Sequence, residues 1–217
     1  MATIEQTSHD ADPVLAPLPP PGRRMAEDEF VTWCRDHQGV RAEWVNGGVV
    51  VMSPASVDHV DLADFLIAVM RIYVEQHDLG RVFAQEYISR FRAGERTLRR
   101  LPDIMFVARD RLNLIRPTYL DGSPDLVVEV VSPDSVARDY REKYLDYQAA
   151  GVREYWIVDP LSRTLEASRL EDGAFRRVEE AGGRVASGVL PGFFLRPEWL
   201  WQQPLPRVRD VLRDLGV

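Results

Sequence analysis

The segment PDLVVEVVSPD, Pro124 to Asp134, constrains this chain most. Leu126 to Val131 holds five valines and leucines, interrupted by one carboxylate, Glu129. A short apolar run bounded by Pro and Ser reads as a buried strand. An ionised glutamate inside such a strand is costly unless something pairs with it. Whatever fold forms must therefore bring a partner to Glu129 or open its strand end to water. The residues alone leave three arrangements open: a cation shared with a second carboxylate, an arginine, or an exposed strand end.

The surrounding pattern alternates strands, helices and hairpins. MAEDEFVTWCRDHQ (Met25–Gln38) predicts a helix with Phe30, Trp33, Cys34 and His37 on one face. Cys34 and His37 are too few for a metal site and read as core residues. AEWVNGGVVVMSP predicts a hairpin around Asn46-Gly47. VDLADFLIAVMRIYVEQH predicts a second helix. RVFAQEYISRF and LPDIMFVA predict strands, joined by an arginine-rich connection with Gly94. ARDYREKYLDYQAAG predicts a helix capped by Asp139, with Glu142 three residues on and Gly151 at its end. REYWIVDP is a further strand, and TLEASRL with AFRRVEE a hairpin across Glu171-Asp172-Gly173. VLPGFFLRPEWLW closes the pattern with aromatics over the sheet. The fold class expected is α/β (α+β), a mixed central sheet flanked by helices with extra β-hairpins.

A length of 217 residues suits one domain. Residues 1–22, rich in Pro, Ala and Asp, are expected to form a flexible tail, and residues 23–217 the domain. No apolar run approaches the roughly 20 residues of a membrane span, and no secretory signal is visible. The single cysteine, Cys34, excludes an intrachain disulfide and fits a reducing cytoplasm. The formal net charge of -7 excludes a general cationic grip on nucleic acid, though not a local one.

Two Pro-Asp pairs precede apolar strands: Pro102-Asp103 before IMFV and Pro124-Asp125 before LVVEVV. With Asp103 at the start of one central strand and Glu129 within its neighbour, both carboxylates converge. Crowded carboxylates must take up protons or share a cation. Mg²⁺ suits a few carboxylates, keeping water and phosphate oxygens as its other ligands. Of the 27 basic residues, 26 are arginine and one, Lys143, is lysine. Lys143 shares a helix face with Tyr140, Tyr144 and Tyr147. Either it snorkels over the tyrosines into water, or its ammonium reaches back to Glu129 and a substrate phosphate to stabilise developing charge. Asp125 reads as a turn residue. Arg90, Arg92, Arg96, Arg99 and Arg100 either hold a phosphodiester backbone or form a solvated connection. No zinc spacing, Gly-rich phosphate loop or G-x-S-x-G is present, and Ser132 before Pro133 reads as a turn.

Pro102-Asp103 and Glu129 match the first two parts of the signature of the PD-(D/E)XK nuclease superfamily. The third part departs, because Val131 stands where that signature has lysine. PDLVVEVVSP followed by EKYLDYQAAGVREYWIVDP resembles one branch of that superfamily, from about Glu43 to Trp201. This is the large bacterial family of putative restriction endonucleases long catalogued as a domain of unknown function. There the lysine has moved to the following helix, which matches Lys143. The resemblance implies a restriction endonuclease-like fold and Mg²⁺-dependent hydrolysis of phosphodiester bonds, foremost in DNA, with Mn²⁺ as a substitute. It implies catalytic roles for Asp103, Glu129 and Lys143, with Asp103 and Glu129 holding metal. It adds Glu43, in EWVNG, as a further metal-assisting acid, and His59, a few residues beyond an SP dipeptide. Read from the residues alone, Glu43 is a strand carboxylate and His59 a helix-start residue. A homodimer is implied only by resemblance. Two rivals remain: a non-catalytic binding or assembly module on the same fold, and hydrolysis of a small phosphorylated molecule.

Overall fold

The computed structural model describes residues 23–84 and 86–217; the expected tail, 1–22, lies outside them. The elements run α1 (Glu27–Asp36), β1 (Ala42–Val45), β2 (Gly48–Val51), α2 (Val57–Gln76), β3 (Gly80–Ala84), β4 (Ile88–Ala93), β5 (Arg96–Arg100) and β6 (Ile104–Ala108). They continue with β7 (Tyr119–Asp121), β8 (Leu126–Val130), α3 (Tyr144–Ala149), β9 (Glu154–Asp159), β10 (Thr164–Glu171) and β11 (Ala174–Arg177). The chain closes with β12 (Val185–Ala186), β13 (Phe194–Leu195), α4 (Pro197–Leu200) and α5 (Val208–Asp214). A 3-10 turn occupies Arg109–Leu114 and a π-helical turn Arg138–Lys143.

The central sheet has six strands in the order β11-β10-β9-β8-β6-β3. It is mixed, as expected: β8 runs antiparallel to β6 and parallel to β9. A second sheet has the order β2-β1-β5-β4-β7, and β12 pairs with β13. The alternation of side chains along a strand assigns the layers. Ile104, Phe106, Leu126, Val128, Val130, Trp156 and Val158 face α2 and the C-terminal aromatics Phe193 and Trp199. Met105, Val107, Val127, Val131, Tyr155 and Ile157 face the other way, onto Tyr147 and onto Phe91, Leu98 and Leu120 of the second sheet. Phe30 and Trp33 of α1 cover Ala42 and Trp44 on the far side of β1.

Two segments differ from expectation. RVFAQEYISRF is two strands rather than one: β3 joins the six-stranded sheet and β4 the five-stranded one. The arginine-rich connection is itself a hairpin, β4 pairing with β5 around Gly94. The Asn46-Gly47 turn forms as expected; both residues have positive φ, which that residue pair tolerates in a tight hairpin. No described helix is long and apolar enough to cross a membrane.

Candidate active site

Glu129 has the parity of Val127 and Val131, so its side chain points into the layer between the two sheets. Asp103 has the parity of Met105 and Val107 and enters the same layer. The antiparallel register, Ile104 opposite Val128, carries Asp103 to Glu129. The Val130 amide donates to Asp103 Oδ2 at 2.9 Å, and the Asp103 amide approaches Glu129 Oε2 at 3.4 Å. Both side chains are buried, and both line one cavity of about 30 Å³.

What faces Glu129 is the lysine. Lys143 is 2 % exposed, which rules out snorkelling into water. Its Nζ lies 2.8 Å from Glu129 Oε2, 3.1 Å from Asp139 Oδ1 and 3.9 Å from Glu43 Oε1. Tyr147, on the next turn, donates its hydroxyl to Glu129 Oε1 at 2.9 Å. Glu43 has the parity of Val45 and points inward from β1. It accepts from Arg100 Nη1 at 2.6 Å and from the Leu101 amide at 3.0 Å. Arg100 in turn donates to Asp146.

Burial dominates the electrostatics. It pushes the Glu129 carboxyl up to about 8; Lys143 pulls it down, while Asp103 and Asp139 add repulsion. Burial would also drive Lys143 neutral, yet Glu129, Glu43 and Asp139 outweigh it and hold the ammonium above its ordinary value. Asp103 and Glu43 are likewise opposed by burial but end below the carboxylate range. His59, Lys143 and the Val130 amide achieve this for Asp103; Lys143, Arg100 and the Leu101 amide do so for Glu43. Lys143 therefore serves as a fixed positive charge.

His59 stands in the first turn of α2, whose N-cap Ser56 accepts from the His59 amide. Its Nε2 is 3.3 Å from Asp103 Oδ1, and Nδ1 is buried with no hydrogen-bond partner among the described residues. Arg41 Nη2 is 3.4 Å from the same Asp103 oxygen. Arg41, His59, Ser135, Arg138 and Asp139 share the cavity lining with the acids.

The donor set fits Mg²⁺ in one form only. That ion accepts one or two carboxylates with water and phosphate oxygens, so Asp103 and Glu129 can serve as its pair. A space of one water's share, ~30 Å³, is enough for one small ligand beside them. Among the described residues no three His, Cys, Asp or Glu groups converge as a closed protein cage would require. Glu43 does not line the cavity, and Arg100 and the Leu101 amide occupy its two oxygens. This sets Glu43 beside Lys143, with Nζ 3.9 Å from its Oε1.

Asp139 is the site residue that sequence reasoning missed. It is no helix cap: it lies inside the π-helical turn, 1 % exposed. The available signal was its spacing of four residues before the lone lysine. The arginines are also redistributed. Arg100 and Arg99 are buried, Arg90 and Arg99 hold Glu27, and Arg96 holds Asp146, so these side chains are engaged within the fold. Asp125 is fully buried, accepting from the Ala108 amide, Arg111 and Arg153, and is more than a turn residue.

The arrangement is similar to that of other proteins. A putative nuclease belonging to DUF820 from Anabaena variabilis ATCC 29413, a crystal structure at 1.96 Å, matches with a TM-score of 0.65. The match covers 80 % of this chain and 96 % of that chain at 18 % identity, which makes it a likeness of fold. No curated protein matches. The model of the Uma2 family, described as putative restriction endonuclease, matches residues 27–198. That span opens at α1 and runs past both sheets and the π-helical turn, well over half the sequence. By that measure the chain belongs to the Uma2 family of putative restriction endonucleases.

Proposed function

We propose that this protein is a metal-dependent endonuclease that hydrolyses phosphodiester bonds, foremost in DNA, with Mg²⁺ or Mn²⁺ held by Asp103 and Glu129. The observation that carries this reading is the buried Lys143 ammonium, 2.8 Å from Glu129 in the layer that Asp103 also enters. Bound there, Mg²⁺ supplies Lewis-acid polarisation of phosphate and a more acidic water. The chain's own groups provide the rest. Lys143 offers a preorganised positive charge to negative charge developing on phosphate, in a site with little water to screen it. His59 and Arg41 orient Asp103 through its Oδ1. Tyr147 fixes the rotamer of Glu129. Family membership and the nuclease-like fold support the reading.

The test is cleavage of supercoiled plasmid, single-stranded DNA and RNA in Mg²⁺, Mn²⁺ or chelator, beside Asp103→Asn and Glu129→Gln. Metal-dependent cleavage of DNA that both substitutions abolish is the expected result. The net charge of -7 favours a second reading, a binding or assembly module on the nuclease fold. Absence of cleavage in every combination would select it.

A further inference from the structure

We propose that Asp139 is the positioning residue for Lys143, holding the ammonium in place independently of Glu129. This rests on the reading of Lys143 as the charge-stabilising group. An ammonium has three donors, and three carboxylates stand around this one. Glu129 is the nearest, but it is also one of the two acids that would hold the ion. When Glu129 engages a cation there, a lysine tethered to Glu129 alone would be free to leave. Glu43 is 3.9 Å away and committed to Arg100. Asp139, at 3.1 Å, is the holder that remains.

The surroundings of Asp139 suit that task. The Ser135 hydroxyl donates to its Oδ2, which fixes the carboxylate plane. Oδ1 makes no hydrogen bond among the described residues and faces Nζ in an ion pair. The Tyr155 hydroxyl donates to the Asp139 carbonyl at 2.9 Å and pins the backbone. Three other buried carboxylates pair with arginine: Asp125 with Arg111, Asp146 with Arg100, and Glu154 with Arg169. Asp139 has no arginine partner among the described residues. The widened turn that carries both residues is also of a kind found often at functional sites.

Because the chain has one lysine, selective ¹³C-lysine labelling yields one side-chain Cε signal, assigned by its loss in Lys143→Arg. In folded Asp139→Asn this signal should shift and broaden. Under activating metal conditions kcat should fall about 10- to 100-fold with KM little changed, as expected for a supporting-shell group. Asp139→Glu, which keeps the charge, should recover part of the loss. An unchanged lysine signal in folded Asp139→Asn would overturn the proposal. The signal decides even if the parent cleaves no nucleic acid, so failure of the nuclease reading is separately visible. Should Asp139→Asn not fold, Ser135→Ala frees the carboxylate while keeping its charge. A smaller shift of the same signal then supports the proposal, and no shift overturns it.

Discussion

Arginine fills 26 of the 27 basic positions, so Lys143→Arg is the substitution this chain would absorb elsewhere. At position 143 it should not be absorbed. A planar guanidinium cannot reproduce a point ammonium between Glu129 and Asp139. Turnover should drop by about 10² to 10³, the cost of one preorganised charge-stabilising group, with circular dichroism unchanged. Lys143→Ala acts differently. It strands buried carboxylates without their cation, and removing one partner of such a pair costs about 3–5 kcal/mol; a lower melting temperature should report it. Glu129 supplies a pH signature. Its carboxyl, held up to about 8 against an ordinary 4.5, binds its proton more tightly in the fold than in the unfolded chain. That contribution is fully present below the ordinary value and is lost as pH rises through about 8. Without metal, stability should fall across this window by at most about 1.4 kcal/mol per pH unit. Melting curves of Glu129→Gln should lack that part of the slope, and an identical slope would show the proton resides elsewhere.

At the scale of elements, the central strands were legible. LVVEVV and IMFV are apolar enough to be buried on both faces, and a period of two puts Asp103 and Glu129 in one layer once they are neighbours. The Asn-Gly hairpin and the Asp172-Gly173 hairpin carried their own turn chemistry. Two features were hidden. Nothing in RVFAQEYISRF marks where the chain leaves one sheet for the other. Arg96 to Arg100 lacks the apolar alternation of a strand, because two of its three positions on the Leu98 face, Arg96 and Arg100, are arginines paired with acids from distant segments. The π-helical turn is equally invisible to a 3.6-residue pattern, and so Asp139 was misread as a cap. It also makes a prediction. Deleting Arg141, which is exposed, should let this turn relax to α-helix and shorten the Asp139–Lys143 spacing from four to three. Helical dichroism should persist while metal-dependent cleavage falls at least about 10²-fold, matching loss of the lysine itself.

At the scale of the molecule, the fold buries two neighbouring carboxyl groups between two sheets and leaves room beside them for one small ligand. An ion that binds only the folded state stabilises it by mass action, about 2.7 kcal/mol at a concentration of 100 Kd. Mg²⁺ or Mn²⁺ should therefore raise the melting temperature of the parent, and Asp103→Asn with Glu129→Gln should remove the response. An equal response in the double variant, by calorimetry, would place the ion elsewhere. The burial of Lys143 has one more consequence. A chain whose single ε-amine is sealed between two sheets offers acylating reagents no side-chain amine until those sheets part. Acylation of the Lys143 peptide, followed by mass spectrometry, thus becomes a clock for opening of the interior. Its rate should rise steeply with denaturant and slow when divalent ions are added.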